Sequence, residues 1–239
     1  FFSFLISCDS NSENQQWQKG NLHTHSFWSD GNDFPEMIIQ WYKNQGYQFI
    51  ALSDHNTIAK QERWYELSKK DIENKVLEKY ENAYGDWVET QTDSMGVRVR
   101  LKTFDEYRSK LEEPGRFLIV KSEEVTSSYE KKPIHINVTN IQEKIEPVKG
   151  SSVVEIMQKT LDLVHAQREK LGIPMFAHIN HPNFGYGIST EDLKKLNGER
   201  FFELYNGHPA VNNAGNDEYD STEIMWDLVN IHHLDQGKP

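Results

Sequence analysis

The stretch "NLHTHSFWSDG", residues 21 to 31, sets two histidines one residue apart and an aspartate five residues after the second. Alternate side chains of an extended chain point to one side, so His23 and His25 converge while Thr24 faces away. Two imidazoles and the nearby Asp30 carboxylate suit a divalent metal ion. Further histidines fall at or near the ends of stretches that read as strands: His55, His135, His178, His181 and His208. A lone histidine is usually a satisfied structural residue, but repetition at equivalent strand ends points to ligands. Imidazole mixed with carboxylate suits zinc, manganese or iron, whereas magnesium and calcium prefer oxygen alone. More than four candidate ligands implies more than one ion, and ions about 3.5 to 4 Å apart need a bridging carboxylate or water. Glu124, in "SEEVT", is available for that.

These residues need a frame that brings strand ends together. Asp33-Phe34-Pro35-Glu36 reads as a helix start, with Asp33 able to cap and proline in the first turn. Met37, Ile38, Trp41 and Tyr42 form its apolar face and Gly46 stops it. "YQFIALSDH" follows as a buried strand, giving a strand, helix, strand unit whose strands end in "HTH" and "SDH". A parallel sheet carries its chemistry at such carboxyl ends. Residues 58 to about 113 break the rhythm with a helical stretch near 60 to 82 and the alternating "VRVRLKT", and read as an insertion over one face. The pattern resumes with strands "RFLIVKSEEVT" and "IHINVTNI", the second with Ile134, Ile136 and Val138 on one face and His135, Asn137 and Thr139 on the other. Residues 151 to 171 are an amphipathic helix, "MFAHINHP" a strand, Ser189 to Leu196 a short helix, "RFFELYNGHP" a strand and loop, and Ser221 to Leu234 a last helix.

With four motifs in order, the chain resembles the PHP domain, the polymerase and histidinol phosphatase superfamily. "HTHSFWSDG" is similar to the family's H-x-H opening, "ALSDHNT" to its D-H-N motif, "VKSEEVT" to its third motif with a bridging glutamate, and "INHPN" to its A-H-P motif. The resemblance covers about residues 20 to 239 and implies an α/β fold, a distorted, TIM-like (β/α)7 barrel with two or three divalent ions (Zn, Mn or Fe). It makes His23, His25, Asp30, His55, Glu124, His135 and His181 metal ligands, with Glu124 rather than Glu123 the bridge. His178, three residues before His181, would face the opposite side of a regular strand and is disfavoured as a ligand. Asp54 reads as orienting a ligand histidine from behind. The family's late D-x-H motif has no match after His208, so the barrel is expected without its final strand in this chain. "IHHLD" lies on a helix, where His232 and His233 are surface or packing residues, and His165, mid-helix, is structural.

The implied activity is hydrolysis of a phosphate ester by a metal-activated water. The catalytic set would be His23, His25, Asp30, His55, Glu124 and His181 through the bound metals, together with His208. Arg98 and Arg100, on one face of "VRVRLKT", are candidates to grip the substrate phosphate, as are Asn206 and His208 in "ELYNGHP", which also carries Glu203. Tyr186, between Gly185 and Gly187, is placed on a loop able to close over substrate. The rivals are a metal-dependent hydrolase of a non-phosphate bond, such as an amide or sugar ester, and a non-catalytic metal-binding surface module.

A net charge of −11 with ten histidines opposes nucleic-acid binding, which needs a basic footprint, and fits a cation binder with a small phosphorylated substrate. The one cysteine, Cys8, excludes a disulfide framework within the chain and a cysteine-based zinc site. It follows an apolar run, and Leu5-Ile6-Ser7-Cys8 resembles a bacterial lipobox. Residues 1–19 then read as a signal remnant and polar linker ahead of the hydrolase domain at 20–239. The protein would be exported, periplasmic or held on a membrane only by a lipid anchor on Cys8; without such a signal it would be cytoplasmic.

Overall fold

In the computed structural model, which describes residues 17–94, 96–198 and 201–237, alternating burial along the strands separates an apolar outer face from a polar inner one. The lipobox lies outside the described residues. In chain order the elements begin with β1 (Gly20–Asn21), α1 (Pro35–Asn44) and β2 (Phe49–Leu52). The insertion supplies β3 (Arg63–Glu66), α2 (Lys69–Glu73), α3 (Val76–Tyr84), β4 (Thr90–Asp93), β5 (Gly96–Leu101) and α4 (Phe104–Leu111). Then come β6 (Leu118–Tyr129), β7 (Lys132–Thr139), α5 (Val153–Leu171), β8 (Phe176–Ile179), α6 (Thr190–Leu193) and α7 (Thr222–Asp235).

The main sheet has the order β1-β2-β6-β7-β8. β1, β2 and β6 run parallel, while β6 with β7 and β7 with β8 are antiparallel. The main sheet therefore has five strands among the described residues where the resemblance implies seven, and half of it departs from a repeating β/α pattern. The departure arises at β6 and β7, which form a hairpin through Glu130 and Lys131, both at positive φ (47° and 71°). A turn with two left-handed residues matches the strand twist, but it is usually announced by Asn or Gly. The sheet curls: Asn137 Nδ2 on β7 donates to the Leu22 carbonyl just past β1, across the two strands between them.

Outward-facing Val125, Ile134, Ile136, Val138, Ala177 and Ile179 pack against Val153, Ile156, Met157, Leu161 and Val164 of α5. α5 is capped by Ser152 and stopped by Gly172 at φ 62°. The inner face of the same strands presents Ser122, Glu124, His135, Asn137, His178 and Asn180, so β-strand alternation alone sorts core from site.

A second core joins the insertion to the first strand-helix unit. Phe27, Trp28, Phe34 and Ile39 meet Tyr80, Val99, Leu101 and Phe104, with Phe34 stacked on Tyr80 at 4.1 Å. The insertion is a three-stranded antiparallel sheet, β3-β5-β4, with short helices. The helix expected near 60 to 82 is instead a strand at 63–66 followed by two helices, broken where Lys75 takes φ 55°. At α1 the extended residue before the helix is Phe34 and not Asp33, and Pro35 occupies the first turn. Glu36 is drawn away from capping because its buried Oε1 accepts from Trp87 Nε1 of the insertion. Trp41 is 55% exposed and does not share the apolar face of α1 with Ile39. No helix among the described residues is long and apolar enough to cross a membrane.

Candidate metal centre

Beyond β1 the chain stays extended, Ser53 N donating to the Thr24 carbonyl, so Thr24 faces β2 while His23 and His25 turn inward. Their Nε2 atoms come within 3.1 Å of each other. The next turn swings Asp30 back over this pair. Asp54, buried at the end of β2, accepts from Ser26 N, Ser26 Oγ and Ser29 Oγ at 2.6 to 2.7 Å. Asp54 thus contacts no ligand histidine directly; it ties down the loop that carries them, and Ser29 Oγ stands 3.3 Å from His25 Nδ1. Gly31 closes the turn, since a Cβ there would sit 2.5 Å from the His25 backbone. Asp30, 69% exposed at its side chain, ends 3.4 Å from His25 Nδ1 and 3.5 Å from His55 Nε2.

Glu124 is the hub of the site, fully buried. Its Oε1 lies 3.4 Å from His23 Nε2, 3.1 Å from His135 Nδ1 and 3.4 Å from His181 Nε2. Its Oε2 lies 3.1 Å from His25 Nε2 and 2.9 Å from His55 Nδ1. Asn180 Nδ2 donates to Oε1 at 2.6 Å and also to Asn137 Oδ1, so a buried amide pair fixes the carboxylate from behind. Glu123, the next residue, points to the outer face and accepts from Ile145 N.

His178 and His181 both reach the site. The strand β8 ends at Ile179 and His181 takes φ 23°, so the alternation that would put the two histidines on opposite faces is broken between them. His181 groups with His23 and Glu124, and His178 with His23 and Glu203, in sets close enough to surround an ion; His25, His55 and Glu124 form a third. His178 therefore shares the inner face with His181 and stands near His23 and Glu203, where strand alternation would have put it on the opposite side. Glu203 was read from the sequence only as a strand-end residue. The strand expected at "RFFELYNGHP" reduces to one parallel bridge between Ile179 and Phe202, which suffices to carry Glu203 to the cluster. Its Oε1 stands 2.5 Å from His23 Nδ1 and its Oε2 accepts from His181 N and Asn206 Nδ2. Asn137 lies on the face of β7 that alternation gives to His135, whereas Asn180 has only one signal in the sequence, its place between the two histidines of "HINHP", on the inner face with His178.

The other candidates lie further out. Asn206 and His208 line the same cavity of about 530 Å³ as the histidines, with Tyr42, Phe184, Tyr205 and Val211. Asn206 is engaged with Glu203, and its Oδ1 accepts from His208 N. His208 Nδ1 accepts from Ala210 N, which leaves Nε2 carrying the ring proton. Arg98 and Arg100 do not line this cavity. Arg98 pairs with Asp93, and Arg100 is held by Glu106 at 2.5 and 3.2 Å and by Glu89 at 2.7 Å, within the insertion. Alternation put both arginines on one face, as expected, but their partners are carboxylates of the same subdomain. Tyr186 is pinned, its ring stacked on Tyr219 at 4.0 Å and its hydroxyl accepting from Asn212 and Asn216. His165 packs beside Gly198, and His232 contacts Gln236 along α7.

Electrostatics single out the hub. Burial pushes the Glu124 carboxyl up, but the imidazoles of His135, His181, His23 and His25 outweigh it and hold it well below the ordinary range. Burial lowers His23, yet Glu124 and Glu203 together raise it to about 10. His135 is lowered by burial, and His178 is pushed down by burial to about 4, so both rings are neutral near pH 7, each with one nitrogen lone pair free.

The residues fit metal ions on an observation independent of any resemblance. Glu124 Oε2 and His135 Nδ1 are buried without a hydrogen-bond partner. Buried polar atoms rarely stay unpaired, because the desolvation cost is about 1 to 3 kcal/mol each. Metal–ligand bonds of about 2.0 to 2.2 Å place neighbouring ligand atoms about 3.0 to 3.5 Å apart; four of the five Glu124 contacts, at 3.1 and 3.4 Å, fall in that window and His55 Nδ1, at 2.9 Å, lies just below it. The chemistry of the set, imidazoles around a shared carboxylate, suits a borderline divalent ion.

No protein-family model and no curated protein matches the chain. Among solved structures it is similar to a Bifidobacterium adolescentis protein assigned as a metal-dependent phosphoesterase, at 11% identity and TM-score 0.44, over 90% of this chain and 84% of that one. It is also similar to an amidohydrolase from Chromobacterium violaceum with bound sulfate and no metal, at 16% identity and TM-score 0.28, over 90% of this chain and 64% of that one.

Proposed function

We propose that the protein is a metal-dependent hydrolase acting on phosphate esters, of the PHP type, with ions held by His23, His25, Asp30, His55, Glu124, His135 and His181. The observation that carries this is Glu124: a fully buried carboxylate with five imidazole nitrogens within 3.4 Å and one oxygen that no hydrogen bond satisfies. Two or three divalent ions (Zn, Mn or Fe), when bound, would supply Lewis acidity toward phosphoryl oxygens and a water that loses its proton near neutral pH.

The chain's own residues do the rest. Glu124 faces His25 and His55 with Oε2 and His23, His135 and His181 with Oε1, and would hold the ions in common with these histidines. Asp30, exposed at the cavity mouth, stands against the outer ring nitrogens, His25 Nδ1 and His55 Nε2, opposite those that face Glu124. His208, held with its proton on Nε2, is a donor at the rim toward a substrate oxygen or the leaving group. Phe184 and Val211 form an apolar wall that limits water near the ring nitrogens.

The test is turnover of a panel of phosphomonoesters and phosphodiesters, with amides and sugar esters alongside, by protein loaded with Mn²⁺ or Zn²⁺. Turnover of a phosphate ester that chelation abolishes and metal restores is expected. Turnover confined to amides or sugar esters, or none by protein holding two ions or more, overturns the phosphoesterase reading.

A further inference from the structure

Three ligand groups share His23 or Glu124, and they are not equivalent. An imidazole has two nitrogens, and a neutral ring offers one lone pair and one N–H. His23 faces His25 and Glu124 with Nε2, at 3.1 and 3.4 Å, and faces Glu203 with Nδ1, at 2.5 Å. For His23 to serve an ion on both sides it would have to lose both ring protons. The distances separate the sides further: ligand atoms around one ion stand about 3.0 to 3.5 Å apart, which the Nε2 contacts match and the 2.5 Å contact to Glu203 does not. That separation is a direct charge-assisted hydrogen bond.

The other contacts of Glu203 point the same way. Its Oε2 accepts from His181 N at 2.8 Å and from Asn206 Nδ2 at 3.0 Å. The carboxylate therefore receives three N–H groups, from the first-strand histidine, from the backbone of the left-handed His181 turn, and from the rim loop. We propose that Glu203 is a positioning residue: it fixes His23 with the proton on Nδ1 and the lone pair of Nε2 aimed at the Glu124 centre, and the His23, His178 and Glu203 group is a hydrogen-bonded support and not an ion site. Through Oε1 to His23 and Oε2 to His181 N it also sets the register between two of the three histidines that face Glu124 Oε1. Carboxylate partners of this kind orient a ligand imidazole and raise its basicity.

The inference rests on the multimetal reading only for what Nε2 faces, and its test has readouts that need no turnover. In metal-free protein, ¹H–¹⁵N NMR of the His23 ring should show the Nδ1 proton held in a hydrogen bond, whether or not Nε2 also carries a proton; in Glu203→Ala that hydrogen bond should be lost. Ion counting on metal-loaded protein should give the same number of ions per chain for wild type, Glu203→Gln and Glu203→Ala, with affinity for Zn²⁺ falling about 10- to 100-fold in Glu203→Ala and less in Glu203→Gln, which keeps an acceptor. Loss of one whole ion in both variants would make Glu203 a ligand and overturn the proposal, as would an unchanged His23 signature in Glu203→Ala. If no form binds ions, the multimetal reading fails, and the NMR comparison still decides the hydrogen bond. Should Glu203→Ala fail to fold, Glu203→Gln and Asn206→Ala, which removes one of the three donors, carry the same ion count and spectrum.

Discussion

Two regions of this molecule concentrate charge, and they treat it in opposite ways. In the insertion, Arg100 lies between Glu89 and Glu106, Lys102 Nζ meets Glu89 at 2.5 Å, and Thr103 N and Oγ donate to Glu106. Arg100, Lys102, Glu89 and Glu106 satisfy one another at hydrogen-bond distance, while Arg98, paired with Asp93 through Nη2, keeps a buried Nε without a partner. Around Glu124, five imidazoles crowd one carboxylate without completing hydrogen bonds to Oε2 or from His135 Nδ1. A network of opposite charges that closes on itself supports structure, whereas imidazoles gathered around one shared carboxylate form a set that could hold a cation. The arginines, chemically apt for phosphate, pair with carboxylates of the insertion and do not line the cavity that the histidines line.

The comparison breaks most sharply at its hub. Glu124→Gln preserves volume and removes the shared charge; at least one ion should be lost per chain and turnover should fall by more than a supporting residue costs, beyond about a hundredfold. Ion counting and steady-state kinetics read both, and a variant that keeps all its ions would show that the unpaired oxygen serves some other purpose. His25→Ala should likewise abolish turnover while far-UV circular dichroism stays unchanged, because the ring is only partly buried and faces the cavity. Retained turnover would remove His25 from the ligand set.

A step further from the centre, Asp54→Asn keeps the shape of the side chain but weakens three acceptor contacts to Ser26 and Ser29. Since Asp54 acts by holding the loop that bears His25 and Asp30, Zn²⁺ affinity should fall about 10- to 100-fold without loss of an ion. Titration calorimetry distinguishes that from loss of a site.

How far the site could be read from the sequence follows from where the chain is regular. His23, His25, His55 and Glu124 sit on or just past extended segments, so period-two alternation and motif order located them. His135 followed from the same rule on β7, where Ile134 and Ile136 mark the outer face. The rule failed where the backbone leaves it: at His181, whose φ of 23° returns the chain to the inner face, and at Glu203, carried by a single bridge instead of a strand. The hairpin between β6 and β7 was invisible because Glu130 and Lys131 adopt left-handed φ without the residues that favour it. For Arg98 and Arg100 the face was read correctly, but alternation says nothing about partners, and the acidic residues that claim them come from β4, its approach and α4.

The smallest effect expected is the one that tests the closed network. Arg100→Met removes a guanidinium whose side chain is 16% exposed, while Glu106 is 33% and Glu89 48% exposed. Solvent screening at that exposure leaves about 1 kcal/mol or less. The pH dependence identifies the source. The hydrogen bond from Arg100, aided by Thr103, lowers Glu106 from 4.5 to about 2. A carboxyl lowered on folding contributes stability that is present above its unfolded value of 4.5 and is lost as pH falls toward about 2. Urea unfolding of wild type and Arg100→Met should therefore differ most at neutral pH and converge as pH drops below 4.5. Ion count and turnover at pH 7 should not change. If they did, the insertion's charges would reach the metal centre, and the line between closed and open networks would have to be drawn elsewhere.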